Sequence, residues 1–450
     1  MTQVIKIKRG LDIHLKGKAS NVMLEGKQSE TFAVTPSNYQ GISPKVIVKP
    51  GDKVGAGSAV MIDKNRQQIK FAAPVSGEII AVNRGEKRKL LNIVIKPDAA
   101  NEYVNFGQKN VSTISSHEVR DAILEAGLWP VIRQRPYDVV AAPDTVPRDI
   151  FLSAFYSAPL APDFLYILRG RETDFRTGLE ALAKLTEGKV YAGIRKGFTF
   201  DAPENVELVE VEGPHPAANA SVLINHIKPV NKGETVWTVN PEDVITIGAL
   251  FNKGIVDFTR LIAITGSETT ERGYIKTHAG CTIRSLVEGK VLDGREKIRI
   301  ISGNVLTGTK VGKDDYLGAY DSQITIIPEG DNTHDFLGWA MPGLNKFSIS
   351  RTFLAWILGK SKEYVIDARI RGGRRAMIMS NEYDKVFPFD IYPEFLLKAI
   401  IAFDIDKMEN LGIYEVAPED FALCEFVDTS KIELQRIVRD GLNLLYKEMN

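Results

Sequence analysis

The sequence predicts a multidomain α/β and α+β protein, and three observations carry that expectation. The chain of 450 residues is too long for one core and suits three or four domains. Its local patterning changes character three times, from strands alone, to strands alternating with helices, to strands again before a helical end. Its composition, 44% hydrophobic and 25% charged, is that of an ordinary globular protein rather than of a disordered or fibrous one. The expected boundaries are residues 1–105, 106–258, 259–330 and 331–450.

Residues 1–105 hold short alternating runs, "KVIVKPGDKVGAGSAV", "IKFAAPVSGEIIAV" and "LLNIVIK", cut by the turn residues Pro50-Gly51-Asp52 and Pro74 to Gly77. This is an all-β module, and "APVSGEII" (73–80) resembles the second half of a biotinyl- or lipoyl-carrier domain. From Ser115 the period becomes helical. Ser115 and Glu118 fit a capping box, Val119, Ala122, Ile123 and Ala126 share a face, and Gly127 ends the helix. "DVVAAP" and "FLYILRG" read as strands, "TGLEALAKLTEGK" as a helix, and "KVYAGI" and "VELVEV" as further strands. Such alternation argues an α/β domain with a largely parallel sheet. "RLIAITG", "KIRIISG" and "SQITIIPEG" are strands again, with one short helix from about Thr282, as in a small β-grasp-like α+β module. In the remainder, "PEFLLKAIIAF" begins with Pro393 at the favoured first-turn position. The final helix spaces Ile432, Leu434, Ile437, Val438, Leu442 and Leu445 along one apolar face. That helix and the segment 336–357 are the expected docking elements.

Charge and cysteine content exclude several classes. Lys+Arg and Asp+Glu both number 57, so no global field favours nucleic acid or an anionic membrane. No apolar stretch approaches the about 18–20 residues of a membrane helix, and "MTQVIKIKRGLDIHL" has no signal-peptide block. Two cysteines, Cys281 and Cys424, give no disulfide framework and point to a reducing, cytoplasmic setting.

Local motifs are weak. Lys64 stands where a carrier domain would display its modified lysine, but ten residues before Pro74 and between Asp63 and Asn65, so it reads as a plain turn residue. "GAGSAV" (55–60) lacks the third glycine and the following helix of a dinucleotide loop. "EGPHPAANASV" (212–222) follows a strand and can open a helix, whose N-terminus would favour an anion, yet only Gly213 allows close backbone approach. His278 and Cys281 form one pair, short of the three or four ligands of zinc. Gly-x-Ser-x-Gly, Walker and HExxH motifs are absent.

Seven phrases, taken in order, resemble one family. They are "IKRGLDI" (7–13), "RGEKRKLLNIVI" (84–95), "GLWPVIRQRP" (127–136), "EGKVYAG" (187–193), "ISGNVLTG" (301–308), "FLGWAMPGLNKFSISRTFL" (336–354) and "ALCEF" (422–426). Together, and over nearly the whole chain, they are similar to the NqrA family, which belongs to the Na⁺-translocating NADH:quinone reductase (Nqr). The resemblance implies a barrel-sandwich module, a Rossmann-like domain, a soluble-ligand-binding (SLBB-like) β-grasp domain and a helical C-terminal part. It implies a peripheral component on the cytoplasmic face of a bacterial inner membrane, in a complex that oxidises NADH, reduces ubiquinone or menaquinone and exports Na⁺. Its partners would be the other Nqr subunits, above all a membrane-embedded flavin-bearing one. NADH, flavins and iron–sulfur centres would sit on those partners, with no covalent cofactor and no catalytic residue here.

Two related chains sharpen the contrast. The cluster-bearing RnfC family needs C-x₂-C-x₂-C-x₃-C-P runs to hold its iron, whereas here Cys424 stands alone with Asp428 four residues on. The flavoprotein of respiratory complex I needs a glycine-rich loop, and "GPHPAANA" is poor in glycine. Assembly and quinone handling remain as roles. Tyr39 in "FAVTPSNYQGI" (32–42), with Trp129, Arg133, Arg135 and Tyr137 in "GLWPVIRQRPYD" (127–138), combine aromatic surface with donors as a quinone headgroup requires. The competing reading makes the aromatics core or interface residues and pairs the arginines with carboxylates. "RGEKRK" (84–89) reads as a solvated turn, or else as a docking patch. A rival function is that of a free, carrier-like ligand-binding protein without a redox role.

Overall fold

The computed structural model describes residues 3–292, 297–331, 342–359 and 362–449. After β1 (Gln3–Lys6), the N-terminal module comprises β2 (Phe32–Val34), β3 (Pro44–Val46), β4 (Lys53–Val54), β5 (Ala59–Asp63), β6 (Lys70–Ala72), β7 (Gly77–Arg84) and β8 (Leu90–Pro97). They form two sheets, ordered β2-β8-β7-β4 and β3-β5-β6. Met61, Phe71, Ile79, Ile93 and Ile95 are buried between them. Gly77 lies at φ +152°, and a Cβ there would sit 2.0 Å from the Lys96 carbonyl oxygen, so the carrier-like run needs its glycine for β7 to cross β8. Lys64 occupies the exposed β5–β6 turn. The buried Asp63 carboxylate fixes that turn by accepting from the Ser43 and Asn65 amides (3.0 and 3.2 Å) and from Arg66 Nε (2.9 Å). Arg66 also donates to the Val140 carbonyl at 3.3 Å, which ties the hairpin tip to the next domain.

The α/β domain contains α1 (Ser116–Glu125), β9 (Ile132–Arg135), β10 (Val139–Val140), β11 (Ile150–Ser153), α2 (Phe164–Leu168), α3 (Glu172–Ala183), β12 (Val190–Ile194), β13 (Val206–Glu212), α4 (Ala220–Ile227), β14 (Val236–Val239) and α5 (Pro241–Lys253). The expected capping box at Ser115 and Glu118 is formed. The sheet runs β1-β13-β12-β11-β14-β9-β10, parallel from β1 to β14, with β9 antiparallel to β14. Residues 3–6 therefore leave the N-terminal β module and edge the α/β sheet, pairing Gln3 with Val209 through Lys6 with Glu212. Ile5 and Ile7 bury with Val209 and Val211 there, a choice of sheet that four alternating residues cannot announce. "FLYILRG" is helix α2, not a strand. Asp163 caps it by accepting from the Leu165 amide at 3.0 Å, and Phe164, Ile167 and Leu168 share its buried side. Helices α3 and α5 cross closely, because a Cβ on Gly248 would come within 1.7 Å of the Asp174 carbonyl and one on Gly178 within 2.0 Å of the Val244 carbonyl.

The third module holds β15 (Thr259–Thr265), β16 (Gly273–His278), α6 (Ile283–Val287), β17 (Ile298–Ser302), β18 (Thr309–Val311) and β19 (Gln323–Pro328), ordered β16-β15-β19-β17-β18. The C-terminal region adds α7 (Pro393–Ile401), α8 (Ile405–Asn410), α9 (Ala422–Val427) and α10 (Leu434–Met449). Leu434, Val438, Leu442 and Leu445 of α10 are fully buried, in one core with Leu396, Phe421, Phe151 and Val209. The apolar face expected to dock on a partner is thus covered by the chain's own α7, α9 and the turn at 418–421. Of the second expected docking segment, 336–341 lie outside the described residues. Its described part ends in a short turn with Leu354, Ile357 and Leu358 exposed.

Candidate functional site

The sheet places a cleft at its point of reversal. From β11 the chain steps to β12 and β13 on one side, then returns through α4 to β14 on the other side of β11. Strands β11 and β14 pair only at Ile150–Trp237 and Phe151–Thr238 before they part. Open parallel sheets hold their ligand crevice at such a point, outside the carboxyl ends of the strands. Two adjoining cavities lie there, of about 520 and 340 Å³, and share Phe155, Tyr156, Ser157, Ala158, Ala161 and Pro162. The larger extends to Lys18, Arg195 and Glu363; the smaller reaches Arg133, His215, Asn219, Asn240, Tyr320 and Glu419.

The five residues selected from sequence do not form one site. Tyr39 packs edge-on against Phe71 (4.8 Å) and Tyr320 (5.7 Å), and Arg133 lies 5.2 Å from the Tyr320 ring centre. Tyr39, Arg133 and Tyr320 come from three different domains and meet at their junction, and burial pushes both phenols up. Trp129 is core: it is fully buried, meets Trp237 edge-on at 5.3 Å, and donates its indole N–H to the Ala141 carbonyl at 2.8 Å. Arg135 is fully buried too, with Nη2 3.2 Å from Glu419 and 3.7 Å from Asp138. Asp138 also meets Arg133 (3.5 Å) and Arg439 of α10 (2.6 Å), so this ionic cluster joins the β9–β10 hairpin to the C-terminal helices. Burial alone would raise the Asp138 pKa, but Arg135, Arg133 and Arg439 outweigh it and hold the carboxyl well below the usual range. Tyr137 packs on Tyr446 at 5.3 Å, and its carbonyl accepts from Arg439 at 2.9 Å.

The loop 212–222 does open a helix, α4, but its groups have other duties. Gly213 lets the backbone pass Ile7, since a Cβ would stand 2.6 Å from the Ile7 carbonyl oxygen. Asn219 donates to Asp420 at 3.1 Å. His215 is buried, which lowers its pKa to about 4 and keeps the ring neutral at pH 7. Its Nδ1 lies 3.0 Å from Ser157 Oγ, which accepts from the Ala218 amide. His278 packs edge-on against Phe32, and burial pushes the Cys281 thiol up to about 11. Among the described residues no three His, Cys, Asp or Glu side chains converge as metal ligands, and no helix is long and apolar enough to cross a membrane.

Sequence reasoning passed over Ser153, Thr238 and Tyr320, all of which line the smaller cavity. For Ser153 and Thr238 the signal that could have found them was the order of strands, which sets β11 beside β14.

A two-sheet β module, an α/β domain and a five-stranded β-grasp module in series define a class of modular, multidomain protein. Comparisons with known proteins place the chain more narrowly. Residues 5–98 match the NqrA N-terminal barrel-sandwich hybrid domain, 114–256 the NqrA second alpha/beta domain, and 261–313 the SLBB-type NQRA C-terminal domain. The NqrA protein of the Na(+)-translocating NADH-quinone reductase of Neisseria meningitidis (serogroup A) is 37% identical over 99% of this chain and 100% of its own length. The corresponding proteins of Histophilus somni (strain 2336) and Hahella chejuensis are 38% and 35% identical at the same coverage. The chain belongs to the NqrA family of the Na(+)-translocating NADH-quinone reductase, and so to the subunits of an enzyme of that class. Among solved structures, an NAD⁺-reducing [NiFe]-hydrogenase covers 48% of the chain with a TM-score of 0.35 and 11% identity, too slight a likeness to carry argument.

Proposed function

We propose that this chain is the peripheral, cytoplasmic-face component of the reductase and serves chiefly in assembly, with NADH, flavins and iron–sulfur centres on its partners. The observation that carries this reading is the distribution of exposed apolar surface. Of 24 large apolar side chains exposed among the described residues, 13 lie between Leu344 and Phe403, including Ile357 (60%), Ile370 (63%), Tyr392 (70%) and Phe403 (74%). Scattered exposed apolar residues need no explanation, but such a concentration in one stretch of chain, the arm 344–403, suits an interaction surface. A membrane-embedded, flavin-bearing protein is the partner such a surface suits.

The same arm offers the more fitting place for a quinone. A groove of about 440 Å³ there is walled by Phe347, Ile366, Ile370 and Phe426, with Arg371 and Arg374 on its lining. Its apolar wall suits the start of a quinone tail, and Lys346, Arg369, Arg371, Arg374 and Lys431 on the lining supply donors for the headgroup carbonyls, beside Asp367, Glu425 and Glu433. None of Tyr39, Trp129, Arg133, Arg135 and Tyr137 lines it.

The test is to express the full chain with Ile357→Asp, Ile370→Asp and Phe403→Asp together beside the other members of the complex. The variant is expected to keep its far-ultraviolet spectrum and melting temperature, because all three side chains are exposed, yet to be lost from the gently solubilised complex. Stoichiometric retention with full sodium-stimulated activity would overturn the assignment of the arm.

A further inference from the structure

The smaller cavity at the parting of β11 and β14 is built in a way that docking does not explain. Ser153 closes β11 and Thr238 lies within β14; they are 8% and 1% exposed, and both line the hollow. Among the described residues neither hydroxyl has a hydrogen-bond partner, and neither has the Arg133 Nε–H of the same wall. Buried polar groups are nearly always paired, because an unpaired one forfeits its hydration without return. Two such hydroxyls and a guanidinium donor around one hollow need an acceptor with several lone pairs. His215 also lines the hollow, with its Nδ1 3.0 Å from Ser157 Oγ. The first turn of α4, at Asn219 and Ala220, opens on the same hollow without a side-chain cap.

The remaining lining narrows the class of ligand. Asp321 and Glu419 also face the cavity; Asp321 accepts from Ser302 Oγ at 2.6 Å and Glu419 from Arg135 at 3.2 Å. Two carboxylates repel a bare anion but accept hydrogen bonds from sugar hydroxyls. Tyr156, Phe155 and Tyr320 offer ring surface for a flat base. The volume of about 340 Å³ is that of a small-ligand site.

We propose that this cavity binds a phosphomonoester of mononucleotide size, with its phosphate received by Ser153, Thr238 and Arg133 and its sugar by Asp321 and Glu419. The site stands apart from the apolar arm and does not depend on the docking role.

Equilibrium dialysis of the full chain against radiolabelled adenosine 5′-monophosphate tests it, with inorganic phosphate, adenosine and a short-chain ubiquinone as competitors. Thr238→Val and Ser153→Ala remove each hydroxyl with little change of shape. The expected result is saturable binding of one nucleotide per chain, weakened about tenfold or more by either substitution, with phosphate and adenosine the poorer competitors. The melting temperature of the ligand-free variants should stay the same or rise, since each loses an unpaired buried group. Absence of saturable binding, or binding indifferent to both substitutions, would overturn the proposal. Displacement by the quinone at lower concentration than by unlabelled nucleotide would overturn it in favour of a carbonyl ligand. Melting lowered by several degrees in Thr238→Val, with no nucleotide bound, would show that the hollow holds water alone.

Discussion

Replacing Asp138 by Asn is the sharpest test of how the C-terminal helices are held. The side chain keeps its shape and loses its charge. In the native protein one carboxylate serves three guanidinium groups, Arg439 at 2.6 Å, Arg133 at 3.5 Å and Arg135 at 3.7 Å. Removing one partner of a buried ionic group costs roughly 3–5 kcal/mol, because the opposite charge stays buried. Arg133 and Arg439 side chains keep 21% and 19% exposure, so water relieves part of the loss. Arg135 has none, and its Nε and Nη1 already lack partners among the described residues. The lower end, about 3 kcal/mol, is therefore the working figure. The α/β domain and the C-terminal helices share one core and should melt together. For such a unit of roughly 150–250 residues, 3 kcal/mol corresponds to roughly 6–12 °C. Scanning calorimetry at pH 7 and moderate salt reads this directly. The pH dependence has a definite sign. The folded Asp138 pKa lies below the unfolded one, so its contribution is fully present above about pH 4 and fades only as pH falls further. The deficit of the variant should be equal at pH 6 and pH 8. A shift under about 2 °C, or a deficit that changes across that interval, would refute the account.

Three further outcomes follow from the packing. Gly248→Ala should lower the urea midpoint by an amount equivalent to about 3 kcal/mol or prevent soluble expression, since the new Cβ would stand 1.7 Å from the Asp174 carbonyl. Leu445→Ala should cost about 2–5 kcal/mol by the same measurement, because the side chain is fully buried in the shared core; a change under 1 kcal/mol would restore α10 as a candidate docking helix. Asp420 has its pKa raised to about 6 by burial and the adjacent Glu419, against the pull of Arg135. The folded state thus favours its protonated form, and this group's stabilising share should fall as pH rises from about 4 to about 6 and then level off. Asp420→Asn should flatten that part of the melting-temperature profile, and an unchanged slope would count against the assignment.

Much of the architecture was legible because each module obeys one periodicity. The alternation in 1–105, the capping box at Ser115 and the α10 pattern all appear as elements where the spacing put them. The failures have one physical origin. Strands β11 and β14 are four residues each and buried throughout, so no polar face marks their period. "FLYIL" is as apolar as either, and Asp163, a single capping residue, decides that it is a helix. The cleft was half legible for the same reason: Arg133 and the loop 212–222 advertise themselves by composition and do reach it, whereas Ser153 and Thr238 matter only through the strand order that juxtaposes them.

The C-terminal helix shows what an amphipathic pattern does and does not say. The spacing of Leu434, Val438, Leu442 and Leu445 requires that this face be covered. It is silent on whether a partner or the same chain covers it, and here Leu396, Ile400 and Phe421 do. Conversely, Leu344 to Met379 carry no helical or strand period, and much of their apolar surface faces outward. A regular period reports an element with a core to join, and within one chain that core is usually its own. Apolar residues without a period cannot be buried by a simple element of the chain, so their exposure is the better sign of a partner. On that reasoning the outward arm, and not the final helix, is where this chain should meet the rest of its complex.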